Sequence, residues 1–267
     1  MIDEVGTLLR TVARDTVMPM FRALDPSEVH EKSPGELVTV ADRAAEAAIA
    51  EGLRALLPGS VVVGEEAVAD DPALVRRLGD DQPVWVVDPI DGTTNYASGR
   101  HPFAIMVALR RAGVTEAGWI LDPATGSLLT GQAGRGVRLD GEPVRLTGPT
   151  PPAAAGLRGV ASPSLPPGVR AAVRAGAARV GTVLPGHHCA AQEYRDILTG
   201  VQHYALFWRT MPWDHTAGVL LVQEAGGVAR RLDGTAYDPA DDRSGLLVAA
   251  DEATWAAVDG ALRDGAA

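Results

Sequence analysis

The chain has one cysteine, Cys189, among 267 residues. A single thiol excludes an intramolecular disulfide framework and a Cys-rich zinc site, and reads as a small buried residue. Aromatic residues make up only 4%, so a core drawn from the 46% hydrophobic content must rest on Val, Leu, Ile and Ala. Positive charge is also in deficit, with a net charge of −10. That disfavours nucleic acid or an anionic membrane as the main partner, since both need basic patches. An acidic chain can still accept an anionic small molecule if a cation mediates. No apolar run reaches the ~18 residues of a membrane span. The first residues, "MIDEVGTLLR", carry no cationic stretch before an apolar one, so no signal peptide is read and the expected location is cytoplasmic. Internal repeats are absent.

The length suits one large α/β domain or two halves sharing an interface. Residues 2–24 have helical spacing, and "LVTVADRAAEAAIAEGLRALLPG" reads as a second helix with Thr39 and Asp42 spaced as a capping box. "SVVVGEE" and "PVWVVDP" read as strands ending in acids. "FAIMVALRR" and "VTEAGWILDP" read as a pair turning at Ala112-Gly113, and "GVRLDGEPVRL" as a hairpin turning at Asp140-Gly141. The Pro-rich stretch at 147–157 is the expected boundary between an N-terminal α+β half, 1–146, and a C-terminal α/β half, 147–267, packed as one unit. Strands and helices alternate again after it. "WDHTAGVLLVQEAGG" is a helix stopped by Gly226-Gly227.

Acids gather at the ends of these elements. Glu65 and Glu66 follow one strand, Asp88 ends another, Asp91 lies in the next turn, and Asp214 opens a helix. Each has an ordinary reading: solvated loop acids, a turn before Pro89, an N-cap. Taken together they form a hard, oxygen-only donor set, which suits Mg²⁺ or Mn²⁺ better than zinc. The Gly92-Thr93-Thr94 sequence after Asp91 offers backbone amides to an anion and a hydroxyl to water. His187, His188 and His215 read as helix-entry, pocket-wall or structural residues.

"WVVDPIDGTTNY" and "PWDHTAGVLLVQEAGG" resemble the two signatures of the inositol monophosphatase family of lithium-sensitive, Mg²⁺-dependent phosphatases. "GEE" at 64–66 and "KSPGELVTVAD" at 32–42 match its upstream acidic and lysine-to-aspartate elements. The resemblance spans roughly residues 5–250. It implies an αβαβα sandwich like that of inositol monophosphatase and fructose-1,6-bisphosphatase, commonly a homodimer. It implies Glu65, Asp88, the Ile90 carbonyl, Asp91 and Asp214 as metal ligands, with Glu66 reaching a further metal. Thr93 and Glu65 would activate water, supported by Asp42. Lys32 would lie near the phosphate, and Asp91, Gly92 and Thr93 would line its seat. Two or three Mg²⁺ would be bound, with Mn²⁺ a possible substitute, and the attacking group would be water rather than a protein nucleophile.

The implied substrate is a small polyol or sugar phosphate, inositol monophosphate first. Ala191, Phe207 and Arg209 would line its pocket. Inositol-specific members carry a glutamate seven residues before the second-signature aspartate; here that position is Phe207, which cannot accept a hydroxyl hydrogen bond. Arg209 could instead meet a second anionic group. Histidinol phosphate, fructose 1,6-bisphosphate and 3'-phosphoadenosine 5'-phosphate are the other candidates within the family. A non-catalytic regulatory binding protein is the alternative from another class.

Overall fold

A computed structural model describes residues 1–33, 36–146, 156–176 and 180–265. Most of the expected boundary at 147–157 lies outside them. α1 (Ile2–Val12) runs on through a π-type turn, Ala13–Val17, to Met20, and ends sooner than its sequence spacing suggests. β1 (Val29–Ser33) and β2 (Glu36–Thr39) pair as an antiparallel ribbon. Leu37–Thr39 is therefore strand rather than helix, and α2 (Val40–Leu56) begins only after the cap. Thr39 and Asp42 close the expected reciprocal capping box.

β3 (Val61–Gly64) leads into a short helix, α3 (Glu65–Asp70), so Glu65 and Glu66 open a helix instead of ending the strand. β4 (Val84–Asp91) continues past Asp88 to Asp91 with a register shift between them. α4 (Thr93–Ala97) follows, then the meander β5 (Ala104–Arg111), β6 (Val114–Leu121), β7 (Leu128–Gln132), β8 (Gly136–Leu139) and β9 (Glu142–Val144). Both expected hairpin turns are present, with Ala112, Gly113, Asp140 and Gly141 all at positive φ. These strands form one seven-stranded sheet in sequential order, β3 parallel to β4 and the rest antiparallel.

The second sheet takes β10 (Arg158–Ala161), β11 (Thr182–Leu184), β12 (Tyr204–Phe207), β13 (Val228–Arg231) and β14 (Leu246–Ala249) in the order β11-β10-β12-β14-β13. Its helices are α5 (Pro167–Ala175), α6 (Ala190–Leu198), α7 (Pro212–Glu224) and α8 (Glu252–Gly265).

The period-two alternation of the strands sorts the core into three layers of contact. Trp85, Val87, Ile105 and Trp119 pack on α1 and α2. Val84, Val86, Met106 and Ile120, on the opposite face, meet α6 and α7 and the inner face of the second sheet through Ala205, Phe207 and Val248. Tyr204, Leu206 and Leu247, on the outer face, meet α5 and α8. The result is an αβαβα sandwich. α7 is buried almost all round because it lies between two sheets, which is why it carries Ala, Gly, Val and Leu on every side. Among the described residues no helix is long and apolar enough to cross a membrane.

Candidate active site

Lys32, Glu65, Asp88, Asp91, Thr93 and Asp214 line one cleft of about 520 Å³. They arrive from both halves of the sandwich. Asp88 and Asp91 come from the irregular end of β4, Glu65 from the start of α3, and Asp214 from the first turn of α7. Asp214 is not the N-cap, a position held by Met211, so its carboxylate stays available to the cleft. The register shift in β4 accommodates the Asp-Pro-Ile-Asp segment. There the Ile90 N–H donates to Asp88 Oδ1 at 3.0 Å while the Ile90 carbonyl accepts from Thr93 Oγ1 at 2.9 Å. Gly92 has φ 86°, and a Cβ there would sit 3.0 Å from the Pro102 carbonyl and 3.2 Å from Cys189 Cβ. Only glycine passes the chain through this turn without strain.

Asp42 serves two elements at once. Its Oδ2 accepts the Thr39 N–H at 2.8 Å and the Thr39 hydroxyl at 2.6 Å, and its Oδ1 accepts from Thr93 Oγ1 at 3.1 Å. The helix cap thereby holds the hydroxyl that faces the cleft. Burial pushes the Asp42 carboxyl up to about 6, against the pull of its Thr39 bonds.

The acids in the cleft disturb one another. Burial raises Asp88 and Asp214 well above the usual carboxylate range, and neighbouring carboxylates add to it: Glu65, Asp91 and Asp214 at Asp88, Asp91 and Glu65 at Asp214. Burial likewise raises Glu65 to about 7, with Lys32 opposing. Asp91 is raised by burial and partly relieved by the Ala191 N–H at 2.6 Å and the Cys189 thiol at 3.2 Å, both donating to Oδ2. Lys32 Nζ bonds Glu65 at 2.8 Å and Glu66 at 2.5 Å. Burial alone would lower its ammonium, but the two carboxylates outweigh this and hold it above its ordinary value. The other Glu66 oxygen, Oε2, is buried with no hydrogen-bond partner. Five carboxylates thus face one lysine, with Arg209 at the rim already paired to Glu36. A hard-oxygen donor set this short of positive charge fits a divalent cation.

Each residue expected from the sequence is placed by this geometry. Glu65, Asp88, Ile90, Asp91, Asp214, Thr93, Gly92 and Lys32 line the cleft, while Glu66 and Asp42 stand behind it, bonded to Lys32 and Thr93. Arg209 is at its mouth. Phe207 is not in this cleft; it lines an adjoining cavity of about 400 Å³ that shares Asp91, His188 and Asp214 with it. Ala191 lines neither cavity, and its contribution is the backbone N–H on Asp91.

Several supporting residues carried no distinct sequence signal. Glu46, one turn beyond Asp42 on α2, accepts the N–H groups of Glu66 and Ala67 at 2.8 Å each and so fixes the start of α3. Asn95, inside the first motif, donates to the carbonyls of Pro102 and His187 at 2.8 Å each. His215 is buried and its imidazole pushed down to about 4, chiefly by burial; Tyr194 Oη lies 2.9 Å from Nδ1 and the Arg209 carbonyl 3.1 Å from Nε2. Glu46 and Asn95 span gaps in sequence that no local pattern encodes.

A second cluster that could hold a metal ion is His187, Glu193 and Asp196, with ligand atoms within 4.8 Å of one another. Its members are already bonded: His187 Nε2 to Asp196 at 2.9 Å, the His187 N–H to Glu193 at 2.7 Å, Gln192 to Asp196 at 2.6 Å and Gln202 to Glu193 at 3.0 Å.

A model of the inositol monophosphatase family matches residues 2–263. The chain belongs to that family. An inositol-1-monophosphatase of Mesorhizobium japonicum is 33% identical over 238 residues, 84% of this chain and 81% of the relative. A protein named Nus factor SuhB from Pseudomonas aeruginosa is 31% identical over 229 residues, 84% of this chain and 82% of the relative. Among solved structures, an IMPase of Thermotoga maritima superposes with a TM-score of 0.80 at 23% identity, covering 98% of each chain. A structure of SaIMPase-II with inositol monophosphate bound gives 0.81 at 21% identity, covering 99% of this chain and 95% of that one. Membership places the chain among the hydrolases of the phosphomonoesterase class.

Proposed function

We propose that this protein is a Mg²⁺-dependent phosphomonoesterase acting on a small polyol or sugar phosphate, with inositol monophosphate the first member of its class to test. The observation that carries this reading is the convergence of Glu65, Asp88, Asp91 and Asp214 beside the Thr93–Asp42 pair. Glu65, Asp88, the Ile90 carbonyl, Asp91 and Asp214 would hold two Mg²⁺, and Glu66 would reach a third; Mn²⁺ fits the same donors. When bound, the ions neutralise phosphate charge, acidify the attacking water and stabilise the departing alkoxide.

The chain's own groups supply the rest. The single Thr93 hydroxyl proton is within reach of both the Ile90 carbonyl and Asp42; directed to Asp42 when that carbonyl is engaged as a ligand, it would leave the Thr93 lone pairs free to accept from the attacking water. Asp42, fixed by its two bonds from Thr39, is placed to receive that proton. Glu65 is the second acceptor for that water. The Gly92 and Thr93 amides and Lys32 meet the phosphate oxygens, and the narrow turn at Gly92 holds those amides in place. The ester oxygen leaves toward the cavity lined by Phe207. We further propose a homodimer in the cytoplasm, sensitive to lithium, with no nucleic-acid or membrane partner.

A regulatory binding role is the second reading, favoured by the relatives named Nus factor SuhB. Against it, no acid of the cleft has been lost, which a purely structural role would not require. The test is phosphate release from a panel of esters with Mg²⁺, beside Asp91→Asn. Metal-dependent turnover lost in the variant supports the enzyme. Absence of turnover on every ester, with metal bound, transfers the weight to binding.

A further inference from the structure

The cavity beyond the acid cluster lies at a change of direction in the second sheet. β10 and β11 are adjacent and parallel. From the end of β10 the chain crosses to α5 on the outer face; from the end of β11 it crosses to α6 on the inner face. Neighbouring strands whose connections leave in opposite directions open a crevice at their carboxyl ends, the favoured ligand position in parallel α/β sheets. Residues 160–163, at the end of β10 and just beyond it, and 184–186, at the end of β11 and just beyond it, line the cavity of about 400 Å³ that reaches Asp91 and Asp214. The crevice therefore opens onto the acid cluster at one end.

At the other end it passes over Ala161, Ser162 and Pro163 into a groove of about 380 Å³ lined by Arg170 and Arg174. These arginines lie one turn apart on α5, which has no acidic residue. Arg170 Nη2 donates to the carbonyls of Pro163 at 2.8 Å and Leu165 at 3.0 Å, which fixes the guanidinium against the loop that forms the crevice wall. Those partners are neutral, so its charge is uncompensated. Among the described residues no carboxylate pairs with Arg174 either. Two guanidinium groups without a carboxylate partner thus stand at the far end of the trench, in a chain of net charge −10.

We propose that the crevice between β10 and β11 takes the leaving group and that Arg170 and Arg174 bind a second anionic group on it, so that the preferred substrates are phosphomonoesters bearing a remote phosphate or carboxylate. The inference rests on the phosphomonoesterase reading and narrows its substrate class. It also gives Phe207 a role: in place of a hydroxyl-binding carboxylate it supplies an apolar wall past which an extended leaving group can lie.

The test compares matched pairs that differ only in the remote anion: fructose 1-phosphate with fructose 1,6-bisphosphate, and adenosine 3'-phosphate with 3'-phosphoadenosine 5'-phosphate. Phosphate release with Mg²⁺ gives kcat/KM for each. Calorimetry with Ca²⁺ in place of Mg²⁺ gives affinities whether or not an ester turns over. The bis-anion of at least one pair is expected to be favoured by at least about tenfold. The ratio should collapse toward one in R170Q/R174Q and in R174E, the latter placed on an exposed side chain with no partner to lose. Equal values within both pairs, or a ratio that R174E leaves intact, overturns the proposal. Tighter Ca²⁺-supported binding of the bis-anion with no turnover of any ester would keep the arginine ledge and remove the phosphomonoesterase reading.

Discussion

Two clusters of acids meet α6, and they are built on opposite terms. His187, Glu193 and Asp196 are surrounded by donors, each oxygen met by an imidazole, an amide or a backbone N–H. Glu65, Asp88, Asp91 and Asp214 are crowded into one buried cleft; burial raises all four, and neighbouring carboxylates add to it at Glu65, Asp88 and Asp214. The first arrangement is complete within the chain. The second is incomplete until positive charge arrives. Acidic residues alone therefore do not mark a reactive centre; the shortage of donors around them does.

The comparison can be broken most sharply at Asp91. Asp91→Asn is expected to lower Mg²⁺-dependent phosphate release by at least about 10³-fold while the fold persists, checked by steady-state kinetics beside circular dichroism. Retention of activity would mean that the cleft is not where chemistry occurs. Thr93→Val should cost about 10²-fold in kcat with little change in KM, because the lost hydroxyl orders water rather than substrate. A loss confined to KM would instead make Thr93 a binding group.

A pH titration of thermal stability probes the cleft acids directly. Without metal, the folded chain holds protons on Glu65 to about 7 and on Asp42 to about 6, while the unfolded chain releases them near 4. Raised folded-state values confer stability at low pH that is lost as pH rises, so Tm of the metal-free protein should fall between about pH 4 and pH 7. Mg²⁺ needs the deprotonated acids, so its stabilising effect should grow over the same interval. A metal-free Tm that climbs toward about pH 7 would show that the cleft acids are not strained.

The smallest effect is expected at Asp196→Asn. It removes the carboxylate from a partly exposed His187 and should cost about 1 kcal/mol in denaturant unfolding. The number of Mn²⁺ ions bound should not change. A drop by one ion would turn the bracing cluster into a second metal site.

The legible part of the sequence was what local chemistry encodes. The Thr39–Asp42 cap, the turns at Gly113 and Asp140-Gly141, and acids at element ends all follow from spacing of a few residues. The same reasoning placed strand at Glu65 where a helix starts and helix at Leu37 where a strand runs, because pairing of β2 with β1 outweighs the propensity of "LVTV" for the helix that follows. Glu46, Asn95 and the Tyr194–His215 pair were illegible for a different reason. Each bridges segments separated by turns of chain whose approach is decided by the sandwich as a whole. Phe207 was legible as a departure from inositol-specific relatives, but its place in a second cavity was set by which face of β12 it occupies.

The bond from the Ala191 amide to Asp91 joins a strand of the first sheet to a helix of the second. Asp214 reaches the same cleft only when α7 has been laid between the sheets. During synthesis the first sheet can assemble with three of its acids in place and still lack both the donor that seats Asp91 and the last carboxylate. Catalytic competence should therefore arrive late on the ribosome, after the inner helices have emerged, and a nascent chain stalled before α7 would be folded in part and silent.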